Sequence, residues 1–448
     1  MSSLNFFVMR EEFIHYLWKY KLYDSLSLSG APDVRIVVVS PGEYNRDAGP
    51  DFFNSKIKIG DILWAGNVEI HVKSSYYEQH GHQHDPLFDN IILHVVVEDD
   101  KVVYNSRGEK LPTAVLSYDP NIYKRYLRLV NDPHRIACHF HVGKLDNIYV
   151  SQWLGSLSIE RLENKVDYID CMLSDTKNDW NEVFYRLLSR YFGFKVNSEP
   201  FELLSRALPS KLLMKHADNR LQIESMLFGT AGMLDEKLFK EAINDEYYKL
   251  LLREYMVLST KYCLKPINGW LWKFGRLRPQ NFPTVRIAQM ATIMSDKNGI
   301  FSRILETKEP QKIYDMLGAT ASDYWNDHYL FGKKSKCSPK AVGESAINIL
   351  VINVVVPILF VYGKKHSDEM ICEKAIELLE YAPAEENMVV REWEEAGLTP
   401  FNGFESQALL QLMTAYCSKH RCVECRIGVK VMAEGLDFIS HDNLMMEP

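Results

Sequence analysis

The sequence is poor in cysteine and has no excess of positive charge. Its 448 residues include 8 cysteines, which are too few and too unevenly spaced for a disulfide scaffold. The formal net charge of −7 argues against a protein whose whole surface is basic and binds nucleic acid, but it is compatible with a local basic groove. We therefore expect a reducing, cytoplasmic location and an ordinary globular core, for which a hydrophobic content of 46% is sufficient.

Long hydrophobic runs and common nucleotide motifs are also absent. The first 13 residues lack a basic start followed by an apolar run, so no signal peptide is predicted. The most apolar stretch, residues 346–362, is interrupted by Asn348, Asn353 and Pro357 and is shorter than the ~20 residues of a spanning helix. We expect a buried helix there and no membrane partner. The sequence contains no phosphate-loop, dinucleotide-binding or serine-hydrolase motif, and it does not indicate the oligomeric state.

The spacing of apolar residues along the chain changes near residue 120. Before that point a helix is predicted over residues 9–20, followed by strands in VRIVVVS, FFNSKIKIG, DILWAGNVEIHVK and NIILHVVVE. VRIVVVS is expected to be a buried strand and Trp64 a core residue. After that point apolar residues recur three and four apart, as in helices. We predict a mixed-sheet domain of the α/β or α+β class over residues 1–125 and a mostly α-helical domain over 126–448.

The segment PDFFNSKIKIGDILWAGNVEIHVK, residues 50–73, concentrates ionisable groups at the start of one strand and along the next. Because side chains alternate along a strand, Glu69, His71 and Lys73 are expected on one face. Asp51 precedes the first strand of the hairpin, and Glu12 on the opening helix is a further candidate oxygen donor. Carboxylates in this arrangement suit Mg²⁺ or Mn²⁺, and the lysine is suited to orienting an attacking water.

The order helix, strand, Pro50-Asp51, hairpin strand and terminal Lys73 resembles the PD-(D/E)XK nuclease superfamily. The resemblance implies metal-dependent phosphodiester hydrolysis, with Asp51 as a metal ligand and Lys73 as the motif lysine. The sequence departs from the pattern at His71, where the superfamily has Asp or Glu. Three alternatives follow: Glu69 replaces the missing carboxylate, His71 is itself a ligand that favours Mn²⁺ or another borderline metal, or the site is degenerate.

A histidine-rich loop follows the hairpin. His80, His82 and His84 alternate in HGHQHDP, and His94 lies on the next strand. Close to Lys73 in the chain, they are candidates for contacting substrate phosphate at the mouth of the same site or for general acid catalysis. The alternatives are a separate transition-metal site and a polar loop whose histidines bond to the backbone.

Cysteines with metal-ligand spacing lie near the carboxyl end. Cys417, Cys422 and Cys425 follow the pattern C-x4-C-x2-C, and Cys337 is the predicted remote fourth ligand. His420 lies too close in the chain to Cys417 and Cys422 for easy geometry. Zinc and an iron–sulfur cluster are equal alternatives, and packed unligated thiols are the third. Some PD-(D/E)XK nucleases hold an iron–sulfur cluster, although their cysteine spacing differs from that found here.

One segment combines basic residues with aromatics. In WLWKFGRLRPQNFPTVRIAQ the basic residues are Lys273, Arg276, Arg278 and Arg286. Arginines bind phosphates through two nitrogens and aromatics stack on bases, so this segment is the first candidate for nucleic-acid contact. The alternative is a helix connection whose arginines pair with acidic neighbours.

Across its length the chain also resembles a family of bacterial proteins of unknown function, in AGPDF, VEIHVKSS, HGHQHDP, NIILHVV, GRLRPQNFPTVRIA and the cysteine-rich tail. The preferred hypothesis is a metal-dependent nuclease. The rivals are an inactive nucleic-acid-binding or scaffold protein that keeps the fold, and a hydrolase of a small phosphorylated substrate. A nuclease requires Asp51, Glu69 and Lys73 to converge on one metal and open onto a groove. A scaffold is expected to pair Lys73 with a carboxylate in a closed, dry pocket. A small-substrate hydrolase is expected to have a deep pocket lined by His80, His82 and His84.

Overall fold

The computed structural model describes residues 9–45 and 47–434. The fold is mixed α+β: a curled mixed sheet near the amino terminus is followed mostly by helices. The described residues form two compact units. Among the described residues, the first unit draws on 9–45, 47–153, 391–398 and 412–434, and the second on 154–390 and 399–411.

The sheet of the first unit has both antiparallel and parallel neighbours. Its strands are β1 Ser25–Leu28, β2 Ile36–Ser40, β3 Glu43–Tyr44, β4 Phe52–Ile59, β5 Ile62–Lys73, β6 Ile91–Glu98 and β7 Thr113–Ser117. Their spatial order is β1-β7-β6-β5-β4-β2, and β3 also pairs with β4. β4 and β5 form the antiparallel hairpin, whereas β5, β6 and β7 run parallel. The long β5 therefore lies in the middle of the sheet.

Helices dominate the remainder of the chain. In chain order they are α1 Glu11–Tyr20, α2 Tyr76–Gln79, α3 Pro120–Val130, α4 His139–Val142, α5 Asn147–Glu163, α6 Val166–Asp175, α7 Trp180–Phe192, α8 Ser198–Ala207, α9 Ser210–Met214 and α10 Arg220–Thr230. They continue as α11 Glu246–Tyr262, α12 Pro283–Met294, α13 Ile300–Glu306, α14 Pro310–Leu317, α15 Glu344–Leu350, α16 Val356–His366, α17 Glu369–Tyr381, α18 Met388–Glu395, α19 Gly403–Gln411 and α20 Arg426–Glu434. A short hairpin, β8 His328–Leu330 and β9 Lys333–Lys334, interrupts them.

The opening helix lies against the central strand of the sheet. Phe13, Leu17 and Trp18 are buried on α1, as their helical spacing predicts, and α1 packs on β5. The helix ends at Lys21, whose left-handed backbone (φ 54°) lets its amide bond back to the carbonyl oxygens of Leu17 and Trp18.

Two sequence-based expectations for this unit were wrong. The strand in VRIVVVS was expected to be buried, but β2 lies at the edge of the sheet and Val39 is 55% exposed. Trp64 was expected in the core, but it lies near the hairpin turn and is 46% exposed. In both cases composition suggested burial, whereas the position within the sheet leaves one face uncovered.

The apolar stretch at residues 346–362 is a buried helix, as predicted. Helical structure runs from Glu344 to His366 and contains a π-turn at Val351–Val355 just before Pro357. The wider turn accommodates a proline that cannot donate the usual helical hydrogen bond. By length and composition this segment is apolar enough to cross a membrane, but 72% of its apolar window is buried inside the protein.

Candidate metal centre

Three polar side chains lie on one face of the sheet because of the register between the parallel strands β5 and β6. Glu69 lies opposite His94, and His71 opposite Val96, across the β5–β6 pair. The ring nitrogens His71 Nδ1 and His94 Nε2 lie 2.9 Å apart. Glu69, His71 and His94 are all buried, with 4%, 1% and 0% exposure. The predicted shared face of Glu69 and His71 is therefore present and points into the interior.

The loop between β5 and β6 returns two more histidines to this face. Its start is anchored by Asp100, whose Oδ1 accepts hydrogen bonds from Ser74 Oγ and the Ser75 amide at 3.0 and 2.8 Å. After α2 the chain reverses at Gly81, whose left-handed backbone (φ 82°) favours glycine. Because this turn separates His80 from His82, both rings lie beside His71.

The imidazoles form a compact set of possible metal ligands. One nitrogen each of His71, His80 and His82 lies within 4.8 Å of the other two. His71 Nε2 is 3.2 Å from His80 Nδ1. The His82 ring stacks on Phe88, with centroids 4.0 Å apart, which fixes its orientation. The set runs from the buried His71 through the half-buried His82 to the exposed His80, so one end opens to solvent.

Two carboxylates at the edge of this set are held by backbone amides. The Asp51 amide donates to Glu69 Oε2 at 3.1 Å, and the Ile70 amide donates to Asp51 Oδ2 at 2.9 Å. Glu69 Oε1 lies 3.2 Å from His82 Nε2 and 3.7 Å from His71 Nε2. Asp51 Oδ2 lies 3.3 Å from His15 Nε2 on α1. Asp51 and Glu69 thus converge, as the nuclease hypothesis requires of these two residues.

Burial sets the protonation of these groups. Burial, with the neighbouring His94, lowers the pKa of His71 to about 2, and burial also lowers the pKa of His82. Burial and the charge of Asp51 raise the pKa of Glu69 far above its usual range. His71 and His82 therefore favour the neutral imidazole, which is the form that binds metals, and Glu69 favours its proton.

The opening helix contributes Glu11 and His15, neither of which the sequence analysis selected. They lie four residues apart, hence on one face of α1. Burial raises the pKa of Glu11, which also interacts with His80, Asp51 and His15, and its Oε1 is buried without a hydrogen-bond partner among the described residues. Glu12, the expected donor, lies one position around the helix and interacts with Tyr126. The four-residue spacing of Glu11 and His15 along the helix was the sequence signal that could have identified them.

Lys73 and His84 lie apart from the group formed by His71, His80 and His82. Lys73 Nζ pairs with Glu98 Oε2 at 2.8 Å, because these residues are register partners at the ends of β5 and β6. His84 is exposed in the short turn His82–His84. Lys73 therefore has a carboxylate partner, as expected of a scaffold protein, but the pair is exposed and does not lie in the closed, dry pocket that was also expected.

The basic segment of the second unit divides into exposed and buried parts. Lys273, Arg276 and Arg278 are exposed, whereas Arg286 is buried on α12. The Arg286 guanidinium lies 4.4 Å from the Phe194 ring centroid and donates to Gln289 and Asn281 at 3.0 and 2.7 Å. Burial lowers its pKa to about 10. Arg278 and Arg286 line a cavity of about 450 Å³, and they face it together with Lys340 and Glu344.

The cysteines divide between the two units. Cys417, Cys422 and Cys425 belong to the first unit, whereas the exposed Cys337 belongs to the second. Cys138, which the sequence analysis did not select, belongs to the first unit and interacts with all three C-terminal thiols.

A further possible ligand group, formed by Asp132, His134 and His139, has its donor atoms within 4.8 Å of one another.

Fold and site together define a mixed α+β protein with a histidine-rich candidate metal centre on its sheet. The chain belongs to a family described as Protein of unknown function (DUF2851), whose family model matches residues 11–388. No curated protein and no solved structure matches the chain. The matched range includes every residue of the candidate centre.

Proposed function

We propose that this protein is a metal-dependent hydrolase that cleaves phosphodiester bonds of nucleic acid. The observation that carries the proposal is the convergence of His71, His80 and His82 within 4.8 Å, beside the Glu69 carboxylate. Three imidazoles with a carboxylate beside them suit catalytic zinc, which takes three protein ligands and a water, and related borderline metals rather than magnesium. The alternative in which His71 is a ligand is therefore favoured.

A cation at this position, when bound, supplies Lewis acidity and lowers the pKa of water. The chain's own groups account for the remaining requirements. The Asp51 amide holds the Glu69 carboxylate and the Ile70 amide holds the Asp51 carboxylate, so Glu69 Oε1 faces the imidazoles in a defined position. Glu11, with a buried and unpartnered oxygen among the described residues, is suited to accept a proton from water.

The choice of nucleic acid as substrate rests on two features. One is the resemblance of Pro50-Asp51 and the β4–β5 hairpin to the PD-(D/E)XK superfamily. The other is exposed aromatic and basic surface: Trp64 is 46% exposed and Trp270 is 69% exposed beside Lys273. Exposed indoles stack on unpaired bases, so single-stranded substrates are expected to bind best.

The second candidate is a binding or scaffold protein that keeps the cation for structure. The Lys73–Glu98 pair favours it, because the motif lysine of a nuclease is expected to face the reacting phosphate. In a scaffold protein, the cation would stabilise the connection between β5 and β6 and would catalyse no reaction.

Cleavage of labelled single- and double-stranded DNA and RNA tests the proposal. The wild-type chain is compared with His71→Ala and Asp51→Ala in the presence of Zn²⁺, Mn²⁺ or Mg²⁺, and after chelation. Cleavage that needs Zn²⁺ or Mn²⁺ and is lost in both variants supports the hydrolase. Stoichiometric cation binding without cleavage of any substrate supports the scaffold protein. Cleavage that survives in both variants overturns the assigned centre.

A further inference from the structure

The cavity of about 450 Å³ in the second unit has a mostly basic charged lining. Arg286 and Lys340 are buried, with 6% and 4% exposure, whereas Arg278 is exposed. Glu344 is the one acidic residue among the described lining residues. The volume lies within the range of roughly 300–1,000 Å³ that is typical of small-molecule sites. The cavity therefore has the size and charge of a site for a small anionic molecule.

Arg286 is a buried cation without a carboxylate partner among the described residues. Its Nη1 and Nη2 donate to the side-chain oxygens of Gln289 and Asn281, which are neutral amides. Its Nε is buried and has no hydrogen-bond partner in the described part of the chain. Burial alone lowers the pKa of Arg286, whereas a nearby carboxylate would raise it. Because a buried charge is costly unless it is paired, an anion in the cavity would compensate it.

Two other arginines of the second unit show the usual arrangement. Arg186 Nε donates to Glu182 Oε1 at 2.9 Å. Burial lowers the pKa of Arg161, and the charge of Glu385 opposes that effect. Both of these arginines are less buried than Arg286, yet each has a carboxylate nearby. The missing carboxylate at Arg286 is therefore a particular feature of the cavity.

Neighbouring side chains hold the Arg286 guanidinium in place. It lies 4.4 Å from the Phe194 ring centroid, and Phe194 also lines the cavity. Gln289, which is 1% exposed, accepts from Arg286 and donates to the Lys340 carbonyl at 3.0 Å. A guanidinium that is already fixed loses little conformational entropy when it binds a ligand.

Lys340 adds a second buried charge to the cavity. Its Nζ donates to the carbonyl oxygens of Asn326 and Ser338 at 3.1 and 2.9 Å, and to Ser338 Oγ at 2.9 Å. All three donors of the ammonium group are therefore used, and all three acceptors are neutral. Lys340 thus contributes positive charge to the cavity, whereas Arg286 contributes both charge and donors.

The start of a long helix completes the lining. Helical structure runs from Glu344 to His366, and Glu344, Ser345 and Ala346 line the cavity. No side chain among the described residues caps this N terminus, and amides of a first turn have no acceptor within the helix. These amides are further donors for an anion. The Glu344 carboxylate repels an anion but accepts hydrogen bonds, so it favours a ligand that also carries a hydroxyl or amino group.

We propose that this cavity binds a small molecule that carries a phosphate group and a hydroxyl or amino group. Arg286 and Arg278 are the groups expected to contact the phosphate, since a guanidinium matches its oxygens in a two-nitrogen geometry. A phosphate monoester carries a charge of about −1.5 to −2 at neutral pH, so it compensates two buried cations better than a carboxylate does. The proposal does not depend on the hydrolase, because the imidazole centre lies in the first unit and shares no residue with the cavity.

Isothermal titration calorimetry of the full-length protein tests this assignment. Ribose 5-phosphate and adenosine monophosphate are compared with ribose and adenosine, in the presence of a chelator so that a metal at the imidazole centre binds no phosphate. We expect only the phosphorylated probes to bind, and inorganic phosphate to compete with them.

Variants of the lining separate the cavity from the exposed surface. Arg286→Lys keeps the charge but loses the planar fork, so affinity for ribose 5-phosphate should fall roughly tenfold or more. Arg278→Gln should weaken binding less, because Arg278 is exposed. Arg276→Gln makes the same change at an exposed arginine outside the lining and should keep the wild-type affinity. His71→Ala should also keep it.

Each other result overturns the assignment. No binding of the phosphorylated probes or of inorganic phosphate to the wild-type chain would show that neutral acceptors alone satisfy Arg286. Equal binding of ribose and ribose 5-phosphate would exclude recognition of phosphate. Both outcomes are read from the wild-type protein, so they hold even if Arg286→Lys fails to fold, which circular dichroism reports. Equal losses in Arg278→Gln and Arg276→Gln, together with binding of a single-stranded oligonucleotide, would indicate a nucleic-acid surface instead.

Discussion

Two buried glutamates, one in each unit, show what distinguishes a candidate site from a buried charge. Glu69 and Glu224 are 4% and 1% exposed, and burial raises the pKa of both. Glu224 on α10 accepts a hydrogen bond from the Tyr247 hydroxyl, and Arg220 lies 3.9 Å away. Glu69 instead faces His71 and His82. Burial is common to both, so the convergence of other metal ligands is what marks Glu69.

The largest expected effect is on cation binding at the imidazole set. His71→Ala removes the most buried ligand, so zinc or manganese affinity should fall by more than the roughly 10–100-fold typical of outer-sphere changes. Isothermal titration calorimetry measures this loss. His84→Ala changes a neighbouring exposed histidine and should leave the affinity unchanged. Equal affinities in the two variants would contradict the proposed ligand set.

A smaller effect is expected at His94, which orients His71 through the 2.9 Å contact between their rings. His94→Phe keeps an aromatic ring but removes the nitrogen, and zinc affinity should fall roughly 10–100-fold. The same titration reports the result, with circular dichroism as the control for folding. An unchanged affinity would mean that His71 is held by packing alone.

Glu224 provides the contrasting case, with an effect on stability rather than on binding. Because burial raises its pKa, the folded state holds the proton more tightly than the unfolded chain. The contribution of Glu224 to the free energy of unfolding is complete below the unfolded pKa of about 4.3 and decreases as pH rises toward the folded pKa.

Glu224→Gln cannot ionise, so its free energy of unfolding should rise relative to wild type between acidic and neutral pH. Urea denaturation across that range measures the difference. Zinc affinity should be unchanged in Glu224→Gln, whereas Glu69→Gln should weaken it. A similar loss of zinc affinity in both variants would remove the distinction between the two glutamates.

The smallest expected effect concerns Lys73. Its pair with Glu98 is exposed, and exposed pairs contribute little to stability. Lys73→Met should therefore change neither the melting temperature nor zinc affinity measurably. Cleavage by Lys73→Met then separates the two proposed functions: a loss of turnover at unchanged affinity requires Lys73 to leave Glu98 and act on substrate.

Local sequence patterns were sufficient for much of the first unit. The alternation in VEIHVK placed Glu69 and His71 on one face of β5, and helical spacing placed Phe13 and Leu17 in the core. Patterns of this kind depend only on the repeat of the strand or helix. They did not identify Glu11, whose role depends on how α1 is rotated against β5, or the exposure of Trp64, which depends on its position in the sheet.

The sequence by itself determined which residues share a strand or helix face, because backbone geometry sets those repeats over a few residues. Only the tertiary structure decided which faces meet. Register between β5 and β6 paired Lys73 with Glu98 and set His94 opposite Glu69, where the His94 ring lies 2.9 Å from His71 Nδ1. The turn at Gly81 placed His80 and His82 beside His71 while His84 stayed exposed. Packing of α20 on α4 brought together the helix that follows Cys425 and the helix that follows Cys138, which spacing along the chain cannot reveal because it depends on long-range contacts.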